Sequence, residues 1–352
     1  MSTSTHPDLQ ALRAAVQKNC HISDARHAAD YTLCIYLLKM REYYRWEKGH
    51  GFGAALEGEE VGEWLREREQ LWDSLGEASF EPMTLGRSSL DPFDTEAINR
   101  ALLPHGLVYS GGIGRKSTPH FFLGRLEDRR EYGGFTLLIS GEEFARDLSA
   151  PPAMTLGRTI FIRRESLRRM LWEKFQEWRW NERRNAMGRA VAHYGFDRDV
   201  ETALDAMTEA ELEAAVLHEI GEVWAGDTLG DEWEEMLTAI GRTRAELIAR
   251  AVRDHLADAV STVPRLLRKG REASVHFWVA NLTGMRRELF PSLAPAYECW
   301  AETGDAHALR GLIETAGRHW LDIAERMLEA YRRHDEGCAE HIDALAGGCA
   351  RL

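Results

Sequence analysis

The periodicity of apolar residues changes twice along the chain, from helical to strand-like near residue 105 and back to helical near residue 165. Between those points lie four short segments: Gly106–Ser110, Pro119–Gly124, Gly134–Ser140 and Arg158–Ile162. They are aromatic or β-branched and are bounded by glycine and proline, which predicts strands. Downstream, apolar residues recur at helical spacing and predict helices over 166–194, 208–225, 230–239, 243–268, 271–289, 294–301, 306–330 and 334–345. The expected class is therefore α+β. Residues 1–165 form an α+β domain of N-terminal helices with a small antiparallel sheet, and residues 166–352 form an all-α helical domain.

The helices expected before the strands are two longer ones and a short one. Asp24 is placed to cap a helix running to Trp46, in which Leu33, Tyr36, Leu37, Met40 and Tyr44 form one apolar stripe. Gly49, Gly51 and Gly53 end it, and a second helix covers Glu59 to Leu75. The prolines in Ser79–Pro92 predict a loop, a short helix follows Asp94, and Ala150–Ala153 reads as a turn.

A length of 352 residues suits two domains, and a net charge of -13 argues against nucleic acid or an anionic membrane as partner. The basic run Arg163–Arg169 reads as a solvated helix start. Five cysteines at 20, 34, 299, 338 and 349 contain no Cys-x-x-Cys, so no disulfide framework is expected. The first residues do not have the pattern of a secretory signal, and no apolar run approaches the roughly 20 residues of a membrane span. These features together predict a cytoplasmic protein.

The residues with most chemistry in them are His218-Glu219-Ile220-Gly221-Glu222 and, 36 residues after Glu222, Asp258 in His255-Leu256-Ala257-Asp258. Positions i and i+4, or i and i+3, share one helix face, so His218 pairs with Glu222 and His255 with Asp258. Imidazoles and carboxylates on facing helices can hold a metal ion. The metal ligands expected are His218, Glu222, His255 and Asp258, with Glu219 as ligand or general base. Asp254 adds a further carboxylate to the inventory. A divalent ion, iron or manganese rather than zinc, is the expected cofactor. That Glu222 stands where a zinc protease has its second histidine counts against that class.

Weaker patterns lie elsewhere. His319 and Asp322, with Glu325 one position further round, form another His/carboxylate group. His334, Cys338 and His341 lie on one face of a last helix that reads as solvated. The glycines of Gly111–Ser117 precede a strand instead of a helix, so they read as a hairpin connection in which Arg115 and Lys116 are available to an anion. Arg41–Glu47 reads as a half-buried helix end, or as a cavity lining.

The Ala214–Glu222 stretch resembles the central motif of the His-Asp metal-dependent phosphohydrolase superfamily, an apolar run followed by His-Asp, an apolar residue and glycine. That resemblance implies a helical bundle in which His193 supplies the earlier histidine and Asp258 the later aspartate. Glu219 departs from it, because a glutamate stands where the family has an aspartate. Asp30–Glu47 and Gly106–Gly124 resemble an uncharacterised bacterial family with an N-terminal and a C-terminal domain of unknown function, which implies no activity.

Two functions from different classes follow. The first is a metal-dependent enzyme, either a hydrolase or a non-haem di-metal oxidase, acting on a small molecule. The second is a non-catalytic interaction or assembly protein with a helical partner-binding surface. The enzyme requires the ligands to converge; the assembly protein requires an exposed apolar patch.

Overall fold

The chain folds as an α+β protein. The structure is a computed structural model, and it describes residues 8–114, 118–180, 184–334 and 337–352. Residues up to Glu177 together with Phe196–Thr208 form one compact unit, and Trp178–Gly195 with Glu209–Leu352 form the other.

The first unit begins with α1 (Leu9–His27), whose N-cap Asp8 accepts from Gln10 N at 3.0 Å and Ala11 N at 3.2 Å. Next come α2 (Leu33–Lys48) and α3 (Gly58–Leu75). Gly49 ends α2 in the left-handed region at φ 69°. Asp24 is not a cap: it is buried inside α1, where its carboxylate accepts the Leu148 N–H. The expected stripe on α2 holds only in part. Met40 and Tyr44 are buried with Tyr43, while Leu33 and Leu37 face outward.

The sheet content exceeds the expectation. Ser79–Pro92 is not all loop but contains a small hairpin, β1 (Met83–Leu85) and β2 (Ser88–Leu90), ahead of α4 (Thr95–Leu102). The main sheet has five strands: β3 (Leu107–Ile113), β4 (Pro119–Tyr132), β5 (Phe135–Arg146), β6 (Ala153–Leu156) and β7 (Thr159–Arg163), in the order β3-β4-β5-β7-β6. It is mixed and not purely antiparallel, because β5 and β7 run parallel from Thr136↔Thr159 to Ser140↔Arg163. The chain leaves β5, passes non-strand residues 150–152 where the turn was expected, forms β6 from Ala153 and returns through β7. Gly133-Gly134 makes the two-residue turn between β4 and β5, with Gly134 at φ 132°. The hairpin expected at 111–117 is consistent with Ile113 pairing Pro119, but Arg115 and Lys116 lie outside the described residues.

Two arginines of the basic run that begins at the end of β7 are not solvated. Arg163 is fully buried and pairs Glu143 through two hydrogen bonds, Nε to Oε1 at 3.0 Å and Nη2 to Oε2 at 2.7 Å. Ser166 Oγ donates to the same carboxylate at 2.6 Å, and the guanidinium lies 4.3 Å over the Phe122 ring. Arg169 is buried too and donates to the Ala150 carbonyl at 2.8 Å.

The helices after the sheet are α5 (Arg164–Arg179), α6 (Ala186–Ala192), α7 (Val200–Leu229), α8 (Asp231–Ala239) and α9 (Arg244–Ala257). A π-helical turn, Asp258–Thr262, leads from α9 into α10 (Val263–Arg268). Pro264 has no N–H for the next α-helical bond, and the preceding Val263 N–H reaches back to Asp258 O instead. Then come α11 (Glu272–Ala280), α12 (Gly284–Leu289), α13 (Leu293–Thr303), α14 (His307–His334) and α15 (Cys338–Gly347). The core of the second unit is built on Trp233, Ile248, Val252, Leu256, Trp320 and Met327, all at most 1% exposed. No helix among the described residues is long and apolar enough to cross a membrane, and the five cysteines are free.

Candidate metal centre

The site begins at a close helix crossing in the second unit. A Cβ on Gly221 of α7 would lie 2.5 Å from the carbonyl oxygen of Ala257, at the end of α9. Only glycine lets the two backbones approach so closely. Ser261, in the π-helical turn, ties the crossing by donating to Leu217 O at 2.7 Å. Glu222 and Asp258 directly follow the two contacting residues, and His218 on α7 and Asp254 on α9 lie one turn before them.

Potential ligand atoms of His218, Glu222 and Asp254 all lie within 4.8 Å of one another. Asp258 stands behind this group and does not join it. The Nδ1–H of His218 donates to Asp258 Oδ1 at 2.8 Å, which leaves Nε2 as the ring atom free to ligate. Asp258 is in turn held by the Trp278 indole N–H at 2.7 Å and by an ion pair with Arg286. A carboxylate fixing the far nitrogen of a ligating histidine sets its tautomer and raises its basicity.

The acids around His218 favour a positive charge on its ring. Burial alone would lower the His218 pKa, but Asp258, then Glu222 and Glu219, outweigh it and raise it to about 10. Burial would likewise raise Asp258, yet Arg286 and His218 hold it well below the usual carboxylate range. Glu222 is pushed up to about 7, mainly by burial; Arg253 pulls it down and Asp254 pushes it further up. Arg253 Nε lies 2.8 Å from one Glu222 oxygen, while the other, Oε1, is buried with no hydrogen-bond partner.

Two of the expected ligands lie elsewhere. His255 faces the core, stacked 4.8 Å from Trp320, with Nε2–H donating to Arg286 O at 2.8 Å. Burial and Arg286 lower its pKa to about 4. One residue along α9 turns a side chain by about 100°, so Asp254 and Asp258 share a face that His255 leaves. His193 is exposed at the end of α6, its ring 5.9 Å from that of His276. Glu219 is buried, and its charge is felt at both His218 and Glu222. His319 and Asp322 do not join the group: His319 packs edge-on to Trp320, and Asp322 pairs Arg326 at 3.0 Å. His334 and His341 stack 3.8 Å apart, but they form no three-ligand group with Cys338 among the described residues.

Residues 11–163 match the N-terminal domain, and residues 168–348 the C-terminal domain, of a two-domain family of unknown function, DUF6866. The chain belongs to the DUF6866 family. The uncharacterised two-domain resemblance read from the sequence is thereby shown, whereas the His-Asp phosphohydrolase resemblance is not. No curated protein and no solved structure matches the chain. Within the DUF6866 C-terminal match lie all four residues His218, Glu222, Asp254 and Asp258.

Proposed function

We propose that the C-terminal domain binds one divalent cation through His218 Nε2, Glu222 and Asp254, and that the protein is a metal-dependent hydrolase. The observation that carries this reading is the convergence of three ligand atoms within 4.8 Å beside a buried, unpartnered Glu222 oxygen. An acceptor left without a donor in a buried position is costly, and a cation removes the cost. One imidazole and two carboxylates suit manganese or ferrous iron. A cation there supplies Lewis acidity and lowers the pKa of a water molecule. Asp258 holds the His218 ring in place, and Glu219, next in sequence, is the residue we assign as general base. Hydrolysis is preferred to di-metal oxidation on two grounds: the described residues offer one three-ligand group, and His218 is 31% exposed, so water reaches it.

The test is metal content and manganese titration of the purified protein beside Glu222→Gln and Asp254→Asn. About one ion per chain, lost in both variants, is expected; the metal-loaded protein is then screened on phosphoester, carboxylic ester and amide substrates. No ion in the native protein after anaerobic reconstitution rejects the reading.

One observation favours the assembly reading as a second possibility. Leu33 and Leu37, one turn apart on α2, are 70% and 45% exposed. An exposed apolar pair of this kind suits a partner surface, and a Leu33→Ser/Leu37→Ser variant with unchanged assembly in size-exclusion chromatography and crosslinking removes it.

A further inference from the structure

The first unit contains a cleft of about 200 Å³ that none of the metal ligands touches. Its walls come from the end of α1, the turn after it, the start of β4 and the exit of β5. Asp24, His27, Asp30, Tyr31, His120 and Asp147 line it, and no lysine or arginine does.

Its two buried carboxylates are unequally satisfied. Asp147 accepts from Phe121 N at 3.1 Å and Ala150 N at 2.6 Å, and faces His120 Nδ1 at 3.3 Å. The two oxygens of Asp24 share the one N–H of Leu148, at 2.9 and 3.1 Å. A carboxyl group offers more hydrogen-bonding positions than one N–H fills, so Asp24 has capacity left on a cavity wall. Asp30, at the rim, is half exposed and lies 3.5 Å from His27.

We propose that this cleft binds a compact organic cation, a primary amine or guanidinium, whose N–H groups are received by Asp24 and Asp30. A metal ion does not fit these residues. Among the described residues no three of these donors lie within ligand distance of one another, as His218, Glu222 and Asp254 do. The spread of the acids suits a ligand with several separated donors. Its volume suits a small molecule, because pockets for drug-sized ligands run to about 300–1,000 Å³. Burial, then the Asp147 charge, holds Asp24 above the usual carboxylate range, and a bound cation offsets both. The site is independent of the metal reading.

The experiment is calorimetric titration of the full chain with methylguanidinium, methylammonium, acetate and manganese, on the native protein and on Asp30→Asn, Asp24→Asn and Glu222→Gln. Saturable one-to-one binding of a cation is expected, weakened at least about tenfold in Asp24→Asn, and more modestly in Asp30→Asn. It should be unchanged in Glu222→Gln. If Asp24→Asn does not fold, Asp30→Asn decides alone, since its side chain stands at the rim. Absence of saturable cation binding, preference for acetate, or undiminished affinity in the folded aspartate variants overturns the proposal. So does cation binding lost in Glu222→Gln, which would place it at the metal centre.

Discussion

Arg163–Glu143 in the first unit and His218–Asp258 in the second are both ion pairs between neighbouring elements, yet they differ in what surrounds them. Both members of the first pair are fully buried, the carboxylate takes a third hydrogen bond from Ser166, and an aromatic ring covers the guanidinium. The second pair has one closed side and one open side. Asp258 is enclosed by Trp278 and Arg286, while His218 is partly exposed and has a ring nitrogen within 4.8 Å of carboxylate oxygens of Glu222 and Asp254. A pair sealed from solvent holds a fold together, even with Arg163 Nη1 left unpartnered; a pair that solvent reaches, beside an unpartnered carboxylate oxygen, can bind something.

The largest expected effect tests the closed pair. Glu143→Ala leaves Arg163 buried without its partner and should cost about 3–5 kcal/mol in chemical denaturation, with metal affinity of the folded fraction unchanged. A loss under about 1 kcal/mol, the range of exposed pairs, would erase the distinction. Next, Gly221→Ala pushes a Cβ into the Ala257 backbone. Overpacking of this kind costs about 1–3 kcal/mol, and here it should also separate the ligands and abolish manganese binding in calorimetry. Retained affinity would show that the crossing does not set the site.

Asp258→Asn keeps the shape behind His218 but removes its charge. A change in this outer partner should weaken metal binding about 10- to 100-fold without eliminating it. An unchanged dissociation constant would make Asp258 a structural residue like Glu143. The smallest effect concerns Glu211, two turns before His218 on α7, which burial pushes up to about 7, with Ser274 pulling it back. Its folded pKa exceeds its unfolded value, so its contribution to stability is complete below about 4.5 and is lost as pH rises through about 7. Glu211→Gln should therefore gain stability relative to the native protein across that window, as read by melting temperature at successive pH values. Parallel curves would show that Glu211 ionises as freely folded as unfolded.

How far the site was legible follows from the range of the interactions. His218 and Glu222 are one turn apart on one helix, so their common face can be read from spacing. Asp254 and Asp258 are likewise one turn apart, but the rotation of α9 against α7 is set by the Gly221–Ala257 contact and by the π-helical turn. Without that phase, His255 is as plausible a ligand as Asp254. His193 was placed by order in the chain, and order does not bring α6 to α7. The strand segments were legible because their residues and flanking glycines are local signals; the parallel pairing of β5 with β7 was not, since it depends on where the chain returns.

The sequence by itself determined the α+β class, the change to helices after the sheet, and the pairing of His218 with Glu222, because all three rest on periodicities of a few residues. Tertiary structure alone decided that Arg163 and Arg169 are buried, that Asp24 is a wall of a cleft and not a helix cap, and that Asp254 replaces His255 beside His218. Those outcomes depend on which elements pack together and at what rotation, and a carboxylate or guanidinium takes its role from the partners that packing brings to it.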